Sequence, residues 1–318
     1  MAMLCSDCFR GTLRGDVVPA GTEETIHGRP TYVARPEPGV DPIGTVVIIP
    51  DAFGWTLRNT RALADAYARR VPCVVYVPDF MDGHALPEWS LNSLESKPAA
   101  DASILTRVWH SISTSLVFAR IVVPFYLHNR PAAALPRIRE WFRALRTEQG
   151  ADAKISVAGF CWGGLFTVLL THDDAENLAA VSAPSSAQDQ GEDHPELQTP
   201  AQFVPVIDCA FTAHPALVKV PEHIDKAVRP LSVANGDDDE WMGREAMQQL
   251  VAIIELEKNR GVPQGEERFE AVVYPGATHG FAVRGDRDDP KQRERGEQTL
   301  DGRPEIVEMT SSLVPRKD

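Results

Sequence analysis

Short apolar segments that alternate with helical segments restrict the fold of this sequence more than any other feature. The apolar segments are rich in Val and Ile and mostly lack polar alternation, as expected for strands buried on both faces of a parallel sheet. We predict strands at 45–49, 73–77, 154–158, 206–211, 231–234 and 269–274, and helices at 57–70, 135–149, 162–171, 243–260 and 290–313. This alternation predicts an α/β fold, in which helices cover both faces of a mostly parallel central sheet, built as a single domain over residues 1–318.

Two segments interrupt the alternation. Residues 81–131 combine Pro, Trp and Ser with a long apolar stretch, and long insertions in compact domains are often functional. We interpret this segment as a candidate lid over a site, with a packed excursion of the chain as the alternative. Residues 184–205 are polar and predict a solvated surface loop.

Charge and composition exclude several classes of protein. The net charge of −13 at pH 7 argues against a nucleic-acid or anionic-membrane partner, because phosphate binding needs clustered Lys and Arg. The hydrophobic fraction of 43% and the charged fraction of 24% are typical of globular proteins, and they exclude disordered, collagenous and coiled-coil chains. Arg120 and Pro124 interrupt the longest apolar stretch, residues 108–127, so we expect no transmembrane helix.

Cysteine usage and the first residues indicate an intracellular protein. The five cysteines are scattered over the chain, unlike the dense, even set of a secreted disulfide scaffold. Residues 1–5 lack the basic region and apolar run of a signal peptide, so we expect a cytoplasmic location. Cys5-x-x-Cys8 has no second Cys/His pair at zinc spacing, and no phosphate loop or dinucleotide-binding pattern occurs. We therefore predict no metal and no cofactor. A homodimer is compatible with the sequence.

The strongest functional signal is the motif Gly159-Phe160-Cys161-Trp162-Gly163-Gly164. It directly follows a predicted strand and directly precedes a predicted helix, which is the nucleophile-elbow arrangement with cysteine in place of serine. A nucleophile on so sharp a turn needs small residues two positions away. A helix amino terminus at Cys161 also favours the thiolate, because the helix dipole stabilises negative charge there. The alternative is a structural cysteine in a glycine-rich turn.

An elbow nucleophile needs a carboxylate and then a histidine further along the chain. His279 lies in a glycine-rich loop just after the predicted strand 269–274, where loops reach the catalytic edge of an open sheet. The strand 231–234 is followed by Asn-Gly and three aspartates. In α/β-hydrolase acid loops the carboxylate usually falls three residues after the glycine, which selects Asp239. Asp237 and Asp238 are the alternatives if this register differs.

In these motifs the sequence resembles the dienelactone hydrolase family of α/β-hydrolases, and especially its fungal members, over residues 25–315. Stretches 51–55 (Asp-Ala-Phe-Gly-Trp), 62–68 (Ala-Leu-Ala-Asp-Ala-Tyr-Ala), 77–80 (Val-Pro-Asp-Phe) and 279–281 (His-Gly-Phe) also resemble the family pattern. The resemblance implies that Cys161, Asp239 and His279 form a catalytic triad. It further implies that Asp51, where the family commonly has Glu, modulates the resting thiol. Arg284 is a candidate to bind a substrate carboxylate, and a solvated surface arginine is the alternative.

These residue types predict acyl chemistry. The Cys161 thiolate attacks an activated carbonyl carbon, His279 acts as base and then as acid, and water cleaves the resulting thioester. The expected oxyanion hole consists of the backbone N–H of Trp162 and one from Ala52 or Phe53. The candidates to line a substrate pocket are Trp55, Trp162, His214 and Phe281, although packing residues give the same pattern.

We therefore predict a cysteine-dependent hydrolase that cleaves a lactone or carboxylic ester of a small molecule. The same Cys/His/Asp site also fits an isomerase, a cyclase or a carbon–carbon bond-cleaving enzyme of secondary metabolism, with His279 as general base. A catalytically silent binding protein is the third hypothesis. The identity of the substrate depends on loops that one sequence does not decode.

Overall fold

The computed structural model describes residues 18–91, 103–181, 201–263 and 267–284, in which an eight-stranded sheet is the central element. Its strands are β1 (Thr22–Ile26), β2 (Arg29–Ala34), β3 (Thr45–Ile49), β4 (Val74–Pro78), β5 (Ile155–Phe160), β8 (Cys209–Ala213), β9 (Leu231–Gly236) and β10 (Phe269–Tyr274). They lie in the order β1-β2-β4-β3-β5-β8-β9-β10. The strands from β4 to β10 in this order are parallel, and β1 and β2 form an antiparallel edge.

Helices pack along the parallel part of the sheet. These are α1 (Arg58–Arg70), α3 (Pro131–Gln149), α4 (Trp162–Leu170) and α5 (Arg244–Ile253). The helix α4 contacts β3, β5 and β8, whereas α1 contacts β2 and β4, and α5 contacts β10. Every residue of β3, β5 and β9 is buried, as expected for strands covered on both faces. The predicted α/β fold with a mostly parallel sheet is confirmed.

The antiparallel edge of the sheet was not predicted from the sequence. β1 and β2 are joined by the two residues His27 and Gly28, whose φ angles are 48° and 76°. Two-residue turns with positive φ match the twist of paired strands, and they favour glycine. The hairpin is therefore set by this turn, whereas β1 itself is mostly polar and exposed.

A 26-residue helix, α2 (Ile104–Asn129), occupies much of the segment that we interpreted as a candidate lid. Phe125 and Asn129 near its carboxyl end are buried, and the Asn129 side chain donates a hydrogen bond to the carbonyl of His84. Several other apolar side chains of α2, including Leu116 and Leu127, are exposed. Residues 92–102 lie outside the described part of the chain, so the lid stays a prediction.

An unpredicted strand pair and several shifted boundaries separate the structure from the predictions; for example, α3 begins at Pro131, four residues before the predicted start. Strand β7 (Gln202–Pro205) pairs antiparallel with β6 (Leu178–Val181), where a loop was predicted. β8 begins three residues late because Asp208 uses its carboxylate to bind the N–H of Ile155 and the side chain of Arg146. The helix predicted at 243–260 is α-helical only to Ile253 and continues as a π-helix, Ile254–Lys258.

Other predictions lie outside the described residues: the helix 290–313, most of the loop 184–205 and the pair Cys5 and Cys8. Among the helices that the structure describes, none is long and apolar enough to span a bilayer.

Candidate active site

The carboxyl ends of the parallel strands bring the predicted site residues to one edge of the sheet. The residues that follow β3, β5, β8, β9 and β10 at this edge are Asp51, Cys161, His214, Asp239 and His279. Open α/β sheets bind ligands at this edge, because loops from several strands meet there. All five side chains are buried, with at most 3% of each residue exposed.

Cys161 occupies a sharp turn between β5 and α4. Its φ and ψ are 50° and −112°, a region that non-glycine residues adopt only when the surrounding structure enforces it. A Cβ on Gly159 would lie 2.0 Å from Oγ1 of Thr167, and one on Gly163 would lie 2.0 Å from the carbonyl oxygen of Ile49. Both glycines are therefore required by close packing around the turn, as the motif predicted.

The backbone of Cys161 is held by the loop after β8. Its N–H donates to the carbonyl of Ala213 (N···O 3.4 Å), and its own carbonyl accepts from the N–H of Ala216 (2.8 Å). The N–H of Gly164, within the first turn of α4, also donates to the Cys161 carbonyl (3.0 Å). The strained turn is thus fixed on both sides by neighbouring backbone.

The other two cysteines of the described residues have a different environment. Cys73 and Cys209 are free and buried, and burial raises the pKa of Cys73 to about 12 and that of Cys209 to about 11. Both therefore stay protonated near neutral pH, where a thiol is a poor nucleophile. Neither follows a parallel strand at the carboxyl edge of the sheet.

His279 and Asp239 form a buried pair. The Nδ1 atom of His279 lies 2.9 Å from Oδ2 of Asp239, and both side chains are fully shielded from solvent. The second carboxylate oxygen of Asp239 accepts the N–H groups of Trp241 (2.7 Å) and Met242 (3.3 Å). These bonds orient the carboxylate toward the imidazole.

The two neighbouring aspartates have other surroundings. Asp237 accepts the N–H of Gly276 and pairs with the exposed side chain of Arg244. Asp238 is exposed. Of the three consecutive aspartates, Asp239 is the one that binds His279, so the geometry agrees with the spacing from Gly236.

Asp51 and Arg284 form a second buried pair. Oδ2 of Asp51 lies 3.1 Å from Nε of Arg284, and the exposed fractions of the two residues are 0% and 2%. The other oxygen of Asp51 accepts the N–H of Phe53 (3.0 Å), and the guanidinium carbon lies 5.2 Å from the centre of the Phe53 ring. The interpretation of Arg284 as a solvated surface residue is wrong.

The aromatic candidates for a pocket wall have packing partners. The indole N–H of Trp162 donates to the carbonyl of Asn129 (2.9 Å), and its ring lies 4.5 Å from that of Phe166. Trp55 is half-buried beneath the guanidinium of Arg61, at 4.9 Å. These contacts favour the packing interpretation for both tryptophans.

Phe281 and His214 pack against each other, and His214 also packs against His279. The rings of Phe281 and His214 are 5.6 Å apart, and the Phe281 ring also lies 5.1 Å from that of Tyr274. Both residues are buried.

The contact between Asn129 and the elbow helix was not predicted. Asn129 ends α2, and Pro131 begins α3 two residues later. The Asn-x-Pro sequence is a recognisable helix boundary, but nothing in it indicates a contact with Trp162. Within the described ranges, His, Cys, Asp and Glu side chains form no group of three or more that is arranged to hold a metal.

The sheet, the elbow after β5 and the histidine–carboxylate pair at its edge together define an α/β-hydrolase fold. The model of the dienelactone hydrolase family matches residues 30–205. The chain therefore belongs to the dienelactone hydrolase family.

Known relatives match different parts of the chain. Dienlactone hydrolase 1 of Gibberella moniliformis is 24% identical over 304 residues, which cover 95% of this chain and 91% of the relative. A carboxymethylenebutenolidase homolog of Mus musculus is 31% identical over 187 residues, 58% of this chain and 62% of the relative. The fungal protein is thus similar over nearly the whole length, and the mouse protein over a shorter part.

Solved structures share the fold at low sequence identity. A putative dienelactone hydrolase of Klebsiella pneumoniae superposes with a TM-score of 0.52 at 17% identity, covering 92% of this chain and 97% of that one. Esterase 2 of Thermogutta terrifontis, phosphorylated by paraoxon, superposes with a TM-score of 0.51 at 16% identity, covering 93% and 98%. At these identities the likeness concerns the fold alone.

Proposed function

We propose that this protein is a cysteine-dependent hydrolase that cleaves a lactone or carboxylic ester through a thioester intermediate. One observation carries the proposal: a cysteine in a strained elbow lies at the sheet edge that also carries a buried His279–Asp239 pair. Membership of a hydrolase family supports the reaction class. The order Cys161, Asp239, His279 along the chain is that of nucleophile, acid and base in α/β-hydrolases.

The proposed first half-reaction transfers the acyl group to sulfur. Nδ1–H of His279 donates to Asp239, which leaves Nε2 to remove the proton from Cys161. The thiolate attacks the carbonyl carbon, and the tetrahedral intermediate expels the alcohol oxygen, which takes the proton from Nε2. The dipole of α4 also favours negative charge on sulfur, because Cys161 immediately precedes the helix.

In the proposed second half-reaction water cleaves the thioester. His279 removes a proton from the water, the hydroxide adds to the carbonyl carbon, and the sulfur leaves as a thiolate. The carboxylic acid is released and the enzyme returns to its starting state. Esters and lactones suit a thiol nucleophile better than amides do. The tetrahedral intermediate from an amide would expel the thiolate again, because the amine is the poorer leaving group.

Backbone N–H groups supply the proposed oxyanion hole. Trp162 is the first residue of α4, and the N–H groups of a first helical turn have no acceptor within the helix. Of the two alternatives in the loop after β3, Phe53 already donates its N–H to Asp51. This contact favours Ala52 as the second donor, since an N–H held by a carboxylate is not available to an oxyanion.

The buried Asp51–Arg284 pair is the proposed recognition element for substrate. Its guanidinium presents several N–H donors, of which Asp51 contacts Nε. A substrate carboxylate would compete with Asp51 for this guanidinium, and the exchange would free Asp51 to act on the thiol. The proposal therefore favours small esters or lactones that carry a carboxylate.

The test compares wild type, Cys161→Ala and the control Cys209→Ala on p-nitrophenyl acetate and on a small unsaturated lactone. Cys209 is buried in β8 beside Ser156, away from the sheet edge. We expect turnover to fall by at least ~10³-fold in Cys161→Ala and to persist in the control. Iodoacetamide should label Cys161 in preference to Cys73 and Cys209 in the same samples.

Other outcomes would redirect the assignment. Absence of turnover with a reactive Cys161 would favour the isomerase, cyclase or carbon–carbon bond-cleaving alternative. An unreactive Cys161 would favour the binding protein. Turnover that survives in Cys161→Ala would refute the proposed mechanism.

A further inference from the structure

The loop that begins at the end of β8 joins the three elements that carry the proposed triad. Its residues 213–216 read Ala-His-Pro-Ala. The carbonyl of Ala213 and the N–H of Ala216 hold the backbone of Cys161. The N–H of His214 donates to the carbonyl of Ala234 in β9 (2.8 Å), the strand that leads to Asp239. One short loop is therefore bonded to both the nucleophile turn and the acid strand.

The side chain of His214 extends this connection to the proposed base. Its ring centre lies 5.1 Å from that of His279, with the two planes at 75°, and 5.6 Å from that of Phe281. The ring also lies 6.0 Å from that of Phe160, which immediately precedes Cys161. His214 is fully buried, and its ring packs near both the last residue of the nucleophile strand and the imidazole of His279.

The backbone of His214 is itself held in an uncommon conformation. Its φ is 41°, in the left-handed region, which His adopts more readily than most residues but still uncommonly. The adjoining packing is tight, because a Cβ on Gly164 would lie 2.5 Å from Pro215. Strained backbone of this kind persists only where the surroundings enforce it, and it clusters at functional sites.

A second contact on His279 has a clear physical purpose. The bond to Asp239 holds Nδ1 of His279 in place. One hydrogen bond alone still permits the imidazole to rotate about the line that joins Nδ1 to the carboxylate oxygen. A ring packed edge-to-face against the imidazole opposes that rotation, since edge-to-face geometry is a preferred arrangement of aromatic pairs. The direction in which Nε2 points is then determined relative to Cys161.

We propose that His214 is a positioning residue, which aligns the His279 imidazole with the Cys161 turn through its ring. The inference rests on the proposed hydrolase function, and it assigns His214 no contact with substrate. The proposal attributes the alignment to this ring contact.

The central variants are His214→Asn and His214→Phe. Asn tolerates positive φ but removes the ring, whereas Phe keeps a ring and lacks the nitrogens. The matched control is Phe211→Leu, because Phe211 also packs on Phe160, at 6.2 Å, yet lies on β8 outside the loop that contacts His279. All proteins are assayed with p-nitrophenyl acetate and for the rate of iodoacetamide labelling at Cys161.

We expect His214→Asn to lower kcat by about 10²-fold, the typical effect of a small misplacement of a reacting group. KM should stay within about threefold of wild type, and labelling of Cys161 should slow, because a misaligned imidazole withdraws the thiol proton less effectively. His214→Phe and Phe211→Leu should both retain kcat within about threefold.

Each alternative result overturns the inference. Wild-type kcat in His214→Asn would exclude a positioning role, and an equal loss in His214→Phe would exclude the ring contact as its cause. An equal loss in Phe211→Leu would assign the effect to general packing of the cluster.

Two further arms keep the test independent of folding and of the proposed reaction. If His214→Asn fails to fold by circular dichroism, His214→Leu replaces it, because Leu217 in the same loop already tolerates a φ of 64°. If wild type shows no turnover, the hydrolase proposal fails. The rates of iodoacetamide labelling at Cys161 then decide alone whether His214 has a positioning role. Equal rates in wild type and the ring-deleted variant would then refute the positioning role.

Discussion

Replacing Arg284 with methionine should destabilise the fold strongly, because it leaves the Asp51 carboxylate buried without its cation. Asp51 is 0% exposed and Arg284 is 2% exposed, with Nε and Oδ2 at 3.1 Å. Removing one partner of a buried ion pair costs about 3–5 kcal/mol, most of which is the uncompensated charge. The N–H of Phe53, which donates to Asp51 at 3.0 Å, does not replace the cation, since a hydrogen bond to a charged group contributes only about 1.5–3 kcal/mol.

Equilibrium unfolding in urea measures this effect. A loss of about 3–5 kcal/mol is a large share of a typical unfolding free energy of about 5–15 kcal/mol, so the midpoint of the transition should fall markedly at an unchanged slope. The matched control is Arg35→Met. Arg35 pairs with Glu24 at 2.8 Å, but the two side chains are 52% and 34% exposed, and exposed pairs contribute about 0–1 kcal/mol.

The double variant Asp51→Asn/Arg284→Met isolates the buried charge. It removes the cation and the carboxylate together, so it should be more stable than Arg284→Met alone. The reasoning is refuted if Arg284→Met costs no more than Arg35→Met. It is also refuted if removing the Asp51 charge restores no stability.

Three further predictions concern the elbow, the acid and the cysteines. Asp239→Asn should lower kcat on p-nitrophenyl acetate by about 10⁴-fold, because an amide no longer holds the required histidine tautomer. The control Asp238→Asn should leave kcat within about threefold of wild type. Equal losses in the two variants would contradict the assignment of Asp239 as the acid. Gly163→Ala should cost at least about 1–3 kcal/mol in urea unfolding, since its Cβ would lie 2.0 Å from a backbone oxygen, and wild-type stability would contradict the packing account. Cys73 and Cys209 should resist iodoacetamide at pH 8, as measured by peptide mapping. Burial raises their pKa values to about 12 and about 11, so the thiolate forms only at higher pH. Rapid labelling of either cysteine in the folded protein would contradict this expectation.

The strands of the sheet core are the part of the fold that sequence patterns predict best. The predicted strands 45–49 and 269–274 coincide with β3 and β10, because both are short apolar segments bounded by polar or turn residues. β3 is fully buried inside the parallel sheet, which requires such a segment, whereas β10 is a partly buried edge strand. In both strands the local sequence carries the information.

Features that depend on pairing were not predictable in the same way. β1 is polar and exposed, so its place in the sheet depends on the His27-Gly28 turn and on β2 as partner. β7 is a strand because it pairs with β6, from which residues 182–201 separate it along the sequence. Hydrophobic periodicity therefore does not predict that β1 pairs with β2 or that β7 pairs with β6, since β1 and β7 are short and largely exposed.

The candidate site divides in the same way. The strand–Cys161–helix arrangement follows from a local motif, and the loop spacing selects the same aspartate that the structure brings to His279. The burial of Arg284 against Asp51 was not evident, because the two residues are far apart along the chain and their contact depends on the assembled sheet. The catalytic roles of these residues stay predictions.

The most direct test of the central claim is detection of the acyl-enzyme by mass spectrometry. Wild-type protein is quenched in acid during turnover of p-nitrophenyl acetate and then digested. We predict one added acetyl group on the peptide that contains Cys161, and none in Cys161→Ala treated identically. Sustained turnover with the acetyl group on another residue, or with no acetylated peptide in a protein whose deacylation is rate-limiting, would contradict the account.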